Sequence, residues 1–354
     1  MKKNVSCPII SVCIPVYATE AFLAQCLRSV ICQNFADFEV VIVSDASRGK
    51  DEKGRSAKKI VKEIEKECKR LRKEKNLPPL TFRYIEHKEN RGLIEVRRTL
   101  CYEARGIYMT QLDSDDELAE GALSALYRAA TENGESFDII HGTSRAGRFD
   151  EEGNFTPSKE NRYGTIYYGQ ITGREIFRHW LLKREFTANT WGKLIKRQLW
   201  QKAYENIPYT ECNMADDILL FFFLAQYAES YKGIHDNVYR YRMNSGMSSG
   251  RRIDSLHKWK MICTTASVFT VLSQWAEQKC EPDNSSPALP PLLPDEIYAV
   301  RQMTSFYLCN NIKQLREAVL PELQADARAM LCEYWGQSFV EKMEAEMNAQ
   351  TSSV

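Results

Sequence analysis

The chain contains no long apolar run. Its longest purely apolar stretch, Ile218 to Ala225, falls far short of the ~20 residues needed to cross a bilayer. The opening Lys2-Lys3 followed by apolar residues imitates a leader, but Pro15 interrupts the run and no small-residue cleavage site follows. An excess of one charge is also missing: 48 lysines and arginines face 47 aspartates and glutamates. No net field therefore draws the whole molecule to nucleic acid or to an anionic membrane, and any charged function is local. A Gly-x-Gly-x-x-Gly loop is absent after the first apolar strand pattern, where Pro15-Val16-Tyr17-Ala18-Thr19-Glu20 stands instead. That disfavours a dinucleotide-binding dehydrogenase. A sugar-nucleotide pyrophosphorylase is disfavoured likewise, since it needs a glycine-rich, lysine-bearing loop there. The eleven cysteines are odd in number and scattered, with Cys13, Cys26, Cys101 and Cys263 at apolar positions of strand or helix patterns. They read as reduced core residues of a cytoplasmic protein.

The first 140 residues alternate short β-branched runs with helical periodicity, the pattern of an α/β sheet with crossover helices. Strands are expected over Ile9 to Ile14, Glu39 to Val43, Thr81 to Glu86, Tyr108 to Leu112 and Asp138 to His141. Phe22, Leu23, Cys26, Leu27, Val30 and Ile31 recur at three- and four-residue steps, as do Leu93, Val96, Leu100 and Ala104. Each set predicts a helix packed on the sheet. Lys50 to Lys75 keeps helical spacing through a dense run of charges; interleaved glutamates and the lack of aromatics make it a solvated face, not a nucleic-acid patch. Gly142 to Arg162 reads as a polar surface loop. Helices are expected near Gly173 to Lys183, Lys196 to Tyr204 and Ala215 to Tyr227, then a proline-rich linker over Glu281 to Pro294 within a helical tail. Three segments follow: residues 1–118, 119–250 and 251–354.

Leu112-Asp113-Ser114-Asp115-Asp116-Glu117 stands where a buried strand ends. Ligands bind at the carboxyl ends of strands in open α/β sheets, so these acids face a substrate crevice. Two carboxylates one residue apart can share Mg²⁺ or Mn²⁺, which prefer oxygen ligands and leave positions for phosphate. The competing reading is a helix cap by Asp115 or Asp116 for a helix starting near Leu118. One cap needs one acid, whereas three crowded acids repel, a strain that a cation relieves.

Ser11-Val12-Cys13-Ile14-Pro15-Val16-Tyr17, Glu39 to Ser47 with its Ser44-Asp45, Asn90-Arg91-Gly92 followed by Arg97, and Asp113-Ser114-Asp115-Asp116 together resemble family 2 glycosyltransferases of the GT-A fold. The resemblance covers roughly the first 120 residues. It implies a Rossmann-like, mainly parallel sheet flanked by helices, with a C-terminal helical extension. Pro15 and Tyr17 match the loop that holds the nucleoside, and Asp45 matches the acid that reads the base edge, typically a uracil N3–H. Arg97 matches the basic residue contributing to the donor site, and Asp113, Ser114 and Asp115 match the group that holds ribose and metal-bound diphosphate. Asp216 and Asp217 resemble the family's acidic pair at a helix start, with Asp217 the general base of an inverting transfer; the alternative is acids stabilised by the helix dipole alone. Trp191-Gly192-Lys193-Leu194 resembles the segment leading to the acceptor, where the Trp191 indole can stack on a sugar or sit in the core. Tyr239 to Ser249 looks like the loop that closes over the diphosphate, with Arg242 neutralising leaving-group charge.

The sequence departs from the family at Ala18, where asparagine is usual, at Ser44, where the first acid of a pair is usual, and at Arg98, where asparagine follows the arginine. Asn244 stands where many relatives carry a metal-joining histidine. The implied donor is a nucleotide-diphosphate sugar, and the acceptor a glycan, lipid-linked glycan or protein, with no nucleic-acid partner. The rival reading is an inactive GT-A module that binds nucleotide or glycan as a scaffold. The C-terminal helices from Arg251 are open to dimerisation, acceptor recognition or peripheral contact with the inner membrane face.

Overall fold

The computed structural model describes residues 7–150, 152–159, 164–243, 252–277 and 289–351. They divide into two compact units, one of residues 1–206 with 220–246 and the other of residues 207–219 with 247–354.

The first unit is built on one mixed sheet. Its elements run β1 (Ile10–Val16), α1 (Glu20–Ile31), β2 (Phe38–Ser44), α2 (Ala57–Glu74), β3 (Thr81–Glu86), α3 (Leu93–Glu103), β4 (Tyr108–Gln111), β5 (Glu117–Leu118), α4 (Ala122–Ala130), β6 (Ile139–Phe149), β7 (Phe155–Pro157), β8 (Gly169–Thr172), α5 (Glu175–Arg178), β9 (Lys193–Lys196), α6 (Arg197–Asn206), α7 (Asp216–Tyr227), whose first residues through Leu219 belong to the second unit, and β10 (Ser230–Arg242). The sheet order is β3-β2-β1-β4-β9-β6-β10-β5, with β7 beside β6 and β8 beside β10. Strands β3, β2, β1 and β4 are mutually parallel, whereas β9 runs antiparallel between β4 and β6. Every residue of β1 and β2 is buried, as befits central parallel strands covered on both faces, and this explains the apolar runs at residues 12–16 and 40–43 within them. Helices α1 and α2 bury Leu23, Leu27, Val30, Ile60 and Ile64 in the same core as Ile14 and Ile42. The parallel strands thus send four connections to the same end of the sheet, those after β1, β2, β3 and β4.

Two sequence expectations are corrected. Gly142 to Arg162 is not simply a loop: β6 continues to Phe149 and pairs antiparallel with β7. No helix begins at Leu118; Glu117 and Leu118 pair antiparallel with Arg240 and Tyr239, and α4 starts only at Ala122. Asp116 is therefore no helix cap.

The second unit is helical: α8 (Leu256–Cys263), α9 (Thr265–Glu277), α10 (Pro294–Glu317), α11 (Gln324–Trp335) and α12 (Gln337–Thr351). Pro294 opens α10, with its missing N–H at the turn where it is not needed, and the Glu296 carboxylate accepts from Leu293 N at 2.8 Å. Gly336, at φ +85°, separates α11 from α12 in a conformation that suits glycine. Trp259, fully buried, donates its indole N–H to Ala327 O and packs with Leu308, Ile312, Leu331 and Val340. No helix among the described residues is long and apolar enough to cross a membrane. Cys13, Cys26, Cys101 and Cys263 are buried free thiols.

Candidate active site

The loop after β4 is the centre of a polar network. Its Asp113 is partly exposed and pairs with Arg97 of α3, Nη2 to Oδ1 at 3.2 Å. Arg97 is only 2% exposed, and its Nη1 donates to Thr190 Oγ1. Ser114 is buried and shares a 2.6 Å hydrogen bond with Thr19, the residue before α1, so the loops after β1 and β4 are tied together. Asp115 is partly exposed.

Asp116 turns the other way and is buried. Its Oδ2 accepts from Tyr239 Oη at 2.8 Å and its Oδ1 from Arg242 N at 2.6 Å. Tyr239 Oη also accepts from Asp113 N at 3.2 Å. Burial, then the charges of Asp115 and Asp113, push the Asp116 carboxyl well above the ordinary carboxylate range. The loop therefore groups three acids, of which Asp113, paired with Arg97, and Asp115 are the two partly exposed ones. Among the described residues, no three or more His, Cys, Asp or Glu side chains are grouped to enclose a metal. Among the described residues, Asp113 and Asp115 would be the pair to hold one, and Mg²⁺ commonly needs no more than one or two carboxylates beside phosphate and water.

The remaining expected residues sit as follows. Pro15 lies within β1, paired with Val43, not in the loop beyond it. Tyr17, just after the strand, is 42% exposed, available to lie against a ring. Ala18 has φ +55°, where asparagine is better tolerated than alanine. Its N–H donates to Ser47 Oγ at 2.9 Å, and Ser47 Oγ donates to Glu20 Oε1 at 2.6 Å. This joins the β1 and β2 loops.

Asp45 is 2% exposed and already engaged. Its oxygens accept from Arg91 N at 3.0 Å and Gly92 N at 2.9 Å, and His87 Nδ1 lies 2.8 Å from Oδ1. His87 Nε2 is in turn 3.0 Å from Thr99 Oγ1. Gly92, at φ +84°, takes the turn that presents its N–H to the carboxylate. In place of an open acceptor for a base edge, Asp45 clamps the turn entering α3. Sequence reasoning missed His87, although a histidine one residue beyond a strand of a parallel sheet is a signal of position.

Arg242 also departs from expectation. It belongs to β10, its Nε donates to Asp115 O at 2.8 Å and its Nη2 to Gln25 Oε1 at 2.7 Å, and its guanidinium lies 3.8 Å from the Phe149 ring centre. These bonds make it a brace for the acid loop. Asn244 and the rest of the expected closing loop through Ser249 lie outside the described residues. Trp191 is corrected too: it is 7% exposed, its ring stacked at 4.8 Å on Tyr239 and 5.7 Å on Tyr241, so it is core and offers no face to a sugar.

Asp216 and Asp217 form the first turn of α7, behind Ala215 at φ +63°. Both acids belong to the second unit, Asp113 and Asp115 to the first. Asp216 is 4% exposed, Asp217 partly exposed. Burial and then the charge of Asp217 raise the Tyr307 hydroxyl to about 12, so the Asp217 carboxylate and this α10 tyrosine are neighbours. Asn213 N, just upstream, donates to Thr264 Oγ1 at 3.1 Å.

Comparison with known proteins adds three findings. The model of a family described as "Glycosyl transferase family 2" matches residues 11–203. The chain is 25% identical over 240 residues to the uncharacterized glycosyltransferase EpsJ of Bacillus subtilis, covering 67% of this chain and 62% of that protein. It is 28% identical over 243 residues to glycosyltransferase GlyA of Streptococcus pneumoniae, covering 68% of this chain and 31% of the relative. The chain thus spans less than two thirds of the length of either relative. In fold it is similar to a mannosyltransferase of Pyrobaculum calidifontis solved in complex with GDP-Man and Mn2+, at 14% identity and a TM-score of 0.50, over 97% of this chain and 84% of that one.

Proposed function

Because the chain belongs to glycosyl transferase family 2, we propose that it moves a sugar from a nucleotide-diphosphate donor, a UDP-sugar in the first instance, onto an acceptor hydroxyl with inversion at the anomeric carbon. The observation that carries this reading is the acid loop after β4. There Asp113 is held by buried Arg97, Ser114 by Thr19, and Asp116 by Tyr239 and Arg242, while Asp113 and Asp115 remain partly exposed. Such second contacts fix carboxylates in the orientation that a bound group needs.

In this reading Tyr17 lies against the base, and Asp45 shapes the base pocket by holding the Arg91–Gly92 turn. Asp113 and Asp115 would hold a Mg²⁺ or Mn²⁺, whose charge, when bound, neutralises the leaving diphosphate; two partly exposed carboxylates one residue apart support that role. The acceptor oxygen attacks the anomeric carbon opposite the leaving group. The C1–O bond to the diphosphate breaks, the electron pair leaves with the nucleotide, and the acceptor proton passes to the Asp217 carboxylate. The left-handed Ala215 just ahead of the acids supports a functional helix start, since such strain gathers at functional sites.

The test is nucleotide release from UDP- and GDP-sugars, with Mn²⁺ and an acceptor panel, by the wild type and Asp217→Asn. Release by the wild type with a loss of about 10²- to 10⁴-fold in the variant supports the reading. Nucleotide binding without any turnover would instead favour the scaffold module.

A further inference from the structure

A buried ammonium lies behind the site, and nothing in the reaction as proposed uses it. Lys193 opens β9, is fully buried, and donates from Nζ to the carbonyls of Thr187, at 3.0 Å, and Asn189. Its Nζ also lies 5.2 Å from the centre of the Phe221 ring. Burying an ammonium is costly unless its hydrogen bonds are made, so a lysine here performs work that an apolar residue cannot. That work is to fold residues 187–193 over the charge. Asn189 Nδ2 adds a 2.7 Å bond to Trp191 O, closing the segment on itself.

The segment reaches the acid loop twice. Thr190 Oγ1 accepts from Arg97 Nη1, whose Nη2 holds Asp113 Oδ1. Trp191 stacks on Tyr239, whose hydroxyl accepts from Asp113 N and donates to Asp116. We propose that Lys193 is a positioning residue for the donor site, pinning the 187–193 segment so that Thr190 and Arg97 hold the Asp113 carboxylate in its ligand-binding orientation. This rests on Asp113 being a donor-site ligand, as proposed above. The relay itself is a separate claim about geometry.

Three variants test it. Lys193→Met removes the pin; Thr190→Val cuts the relay while leaving the buried charge; Thr190→Ser keeps the hydroxyl. Thr190→Val should raise the donor KM about tenfold, the scale of one lost hydrogen bond to a charged group, and Thr190→Ser should restore it. A purely structural role would lower the active fraction, hence apparent kcat, and leave KM unchanged. Crystal structures of Lys193→Met and Thr190→Val should show Arg97 Nη2 withdrawn from Asp113 beyond ion-pair distance. An unchanged KM in Thr190→Val, or an intact Arg97–Asp113 pair in either variant, overturns the proposal. Should Lys193→Met fail to fold, Thr190→Val decides. If the wild type turns over no sugar nucleotide, the enzymatic reading fails, while the Arg97–Asp113 distance still judges the relay.

Discussion

Replacing Arg97 by methionine isolates the interaction on which the geometry of the acid loop depends. The Arg97 side chain is 3% exposed, that of Asp113 25%, and their charged atoms are 3.2 Å apart. At an effective dielectric of about 20, unit charges at this separation attract by about 5 kcal/mol, an upper bound before the desolvation of a buried guanidinium is subtracted. A net coupling of about 1 to 3 kcal/mol remains. Losing one partner of a mostly buried pair should destabilise by about 3 kcal/mol, or roughly 6 to 12 °C in Tm for a unit of this size. The assay is a double-mutant cycle: urea and thermal melts of the wild type, Arg97→Met, Asp113→Asn and the double variant. Coupling of about 1 kcal/mol or more supports the pair. Additivity within about 0.5 kcal/mol would mean that the two side chains do not restrain each other, and the held Asp113 would be refuted.

Ala18→Gly should stabilise by about 1 kcal/mol, because φ +55° strains an alanine; chemical denaturation measures it, and a loss of stability would contradict the strain. Trp191→Ala should cost about 3 to 5 kcal/mol from the cavity between Tyr239 and Tyr241, whereas Trp191→Phe keeps most of the stacking and leaves acceptor KM unchanged; a large KM increase in the phenylalanine variant would return the indole to the acceptor site. Burial, then the Lys193 charge, hold His141 well below the ordinary imidazole range. The unfolded chain binds a proton near pH 6.5 that the folded chain refuses, so this stability is present above about pH 6.5 and falls on acidification by up to about 1.4 kcal/mol per pH unit. Urea melts at pH 7.5 and 5.5 should show a smaller loss for His141→Gln than for the wild type; equal losses would contradict the assignment.

The parallel half of the sheet was legible because its residues have one job. Val40 to Val43 and Val12 to Ile14 are buried on both faces, and only apolar β-formers satisfy that. The β6–β7 hairpin was not, because its glycines imitate a loop. A side chain at Gly142 would meet Val238 at 2.5 Å, and one at Gly147 would meet the Phe155 ring at 2.6 Å, so these glycines mark close strand approach inside a sheet. In the site, the grouping of acids at a strand end was readable from their spacing, but the direction of each was not. Asp116 faces inward because β5 pairs with β10, a contact between residues more than a hundred positions apart. Asp45 and Trp191 were read as ligand contacts because their residue types suit ligands; the protein uses the same chemistry on itself, a carboxylate for backbone N–H groups and an indole for two tyrosines.

The most direct measurement is isothermal titration of UDP and GDP into the wild type, Asp113→Asn and Asp115→Asn, each with and without Mn²⁺. The account predicts Mn²⁺-dependent binding to the wild type, weakened about tenfold or more in both variants. Equal affinity in all three proteins, or binding indifferent to the metal, would contradict a donor diphosphate held by the acid loop.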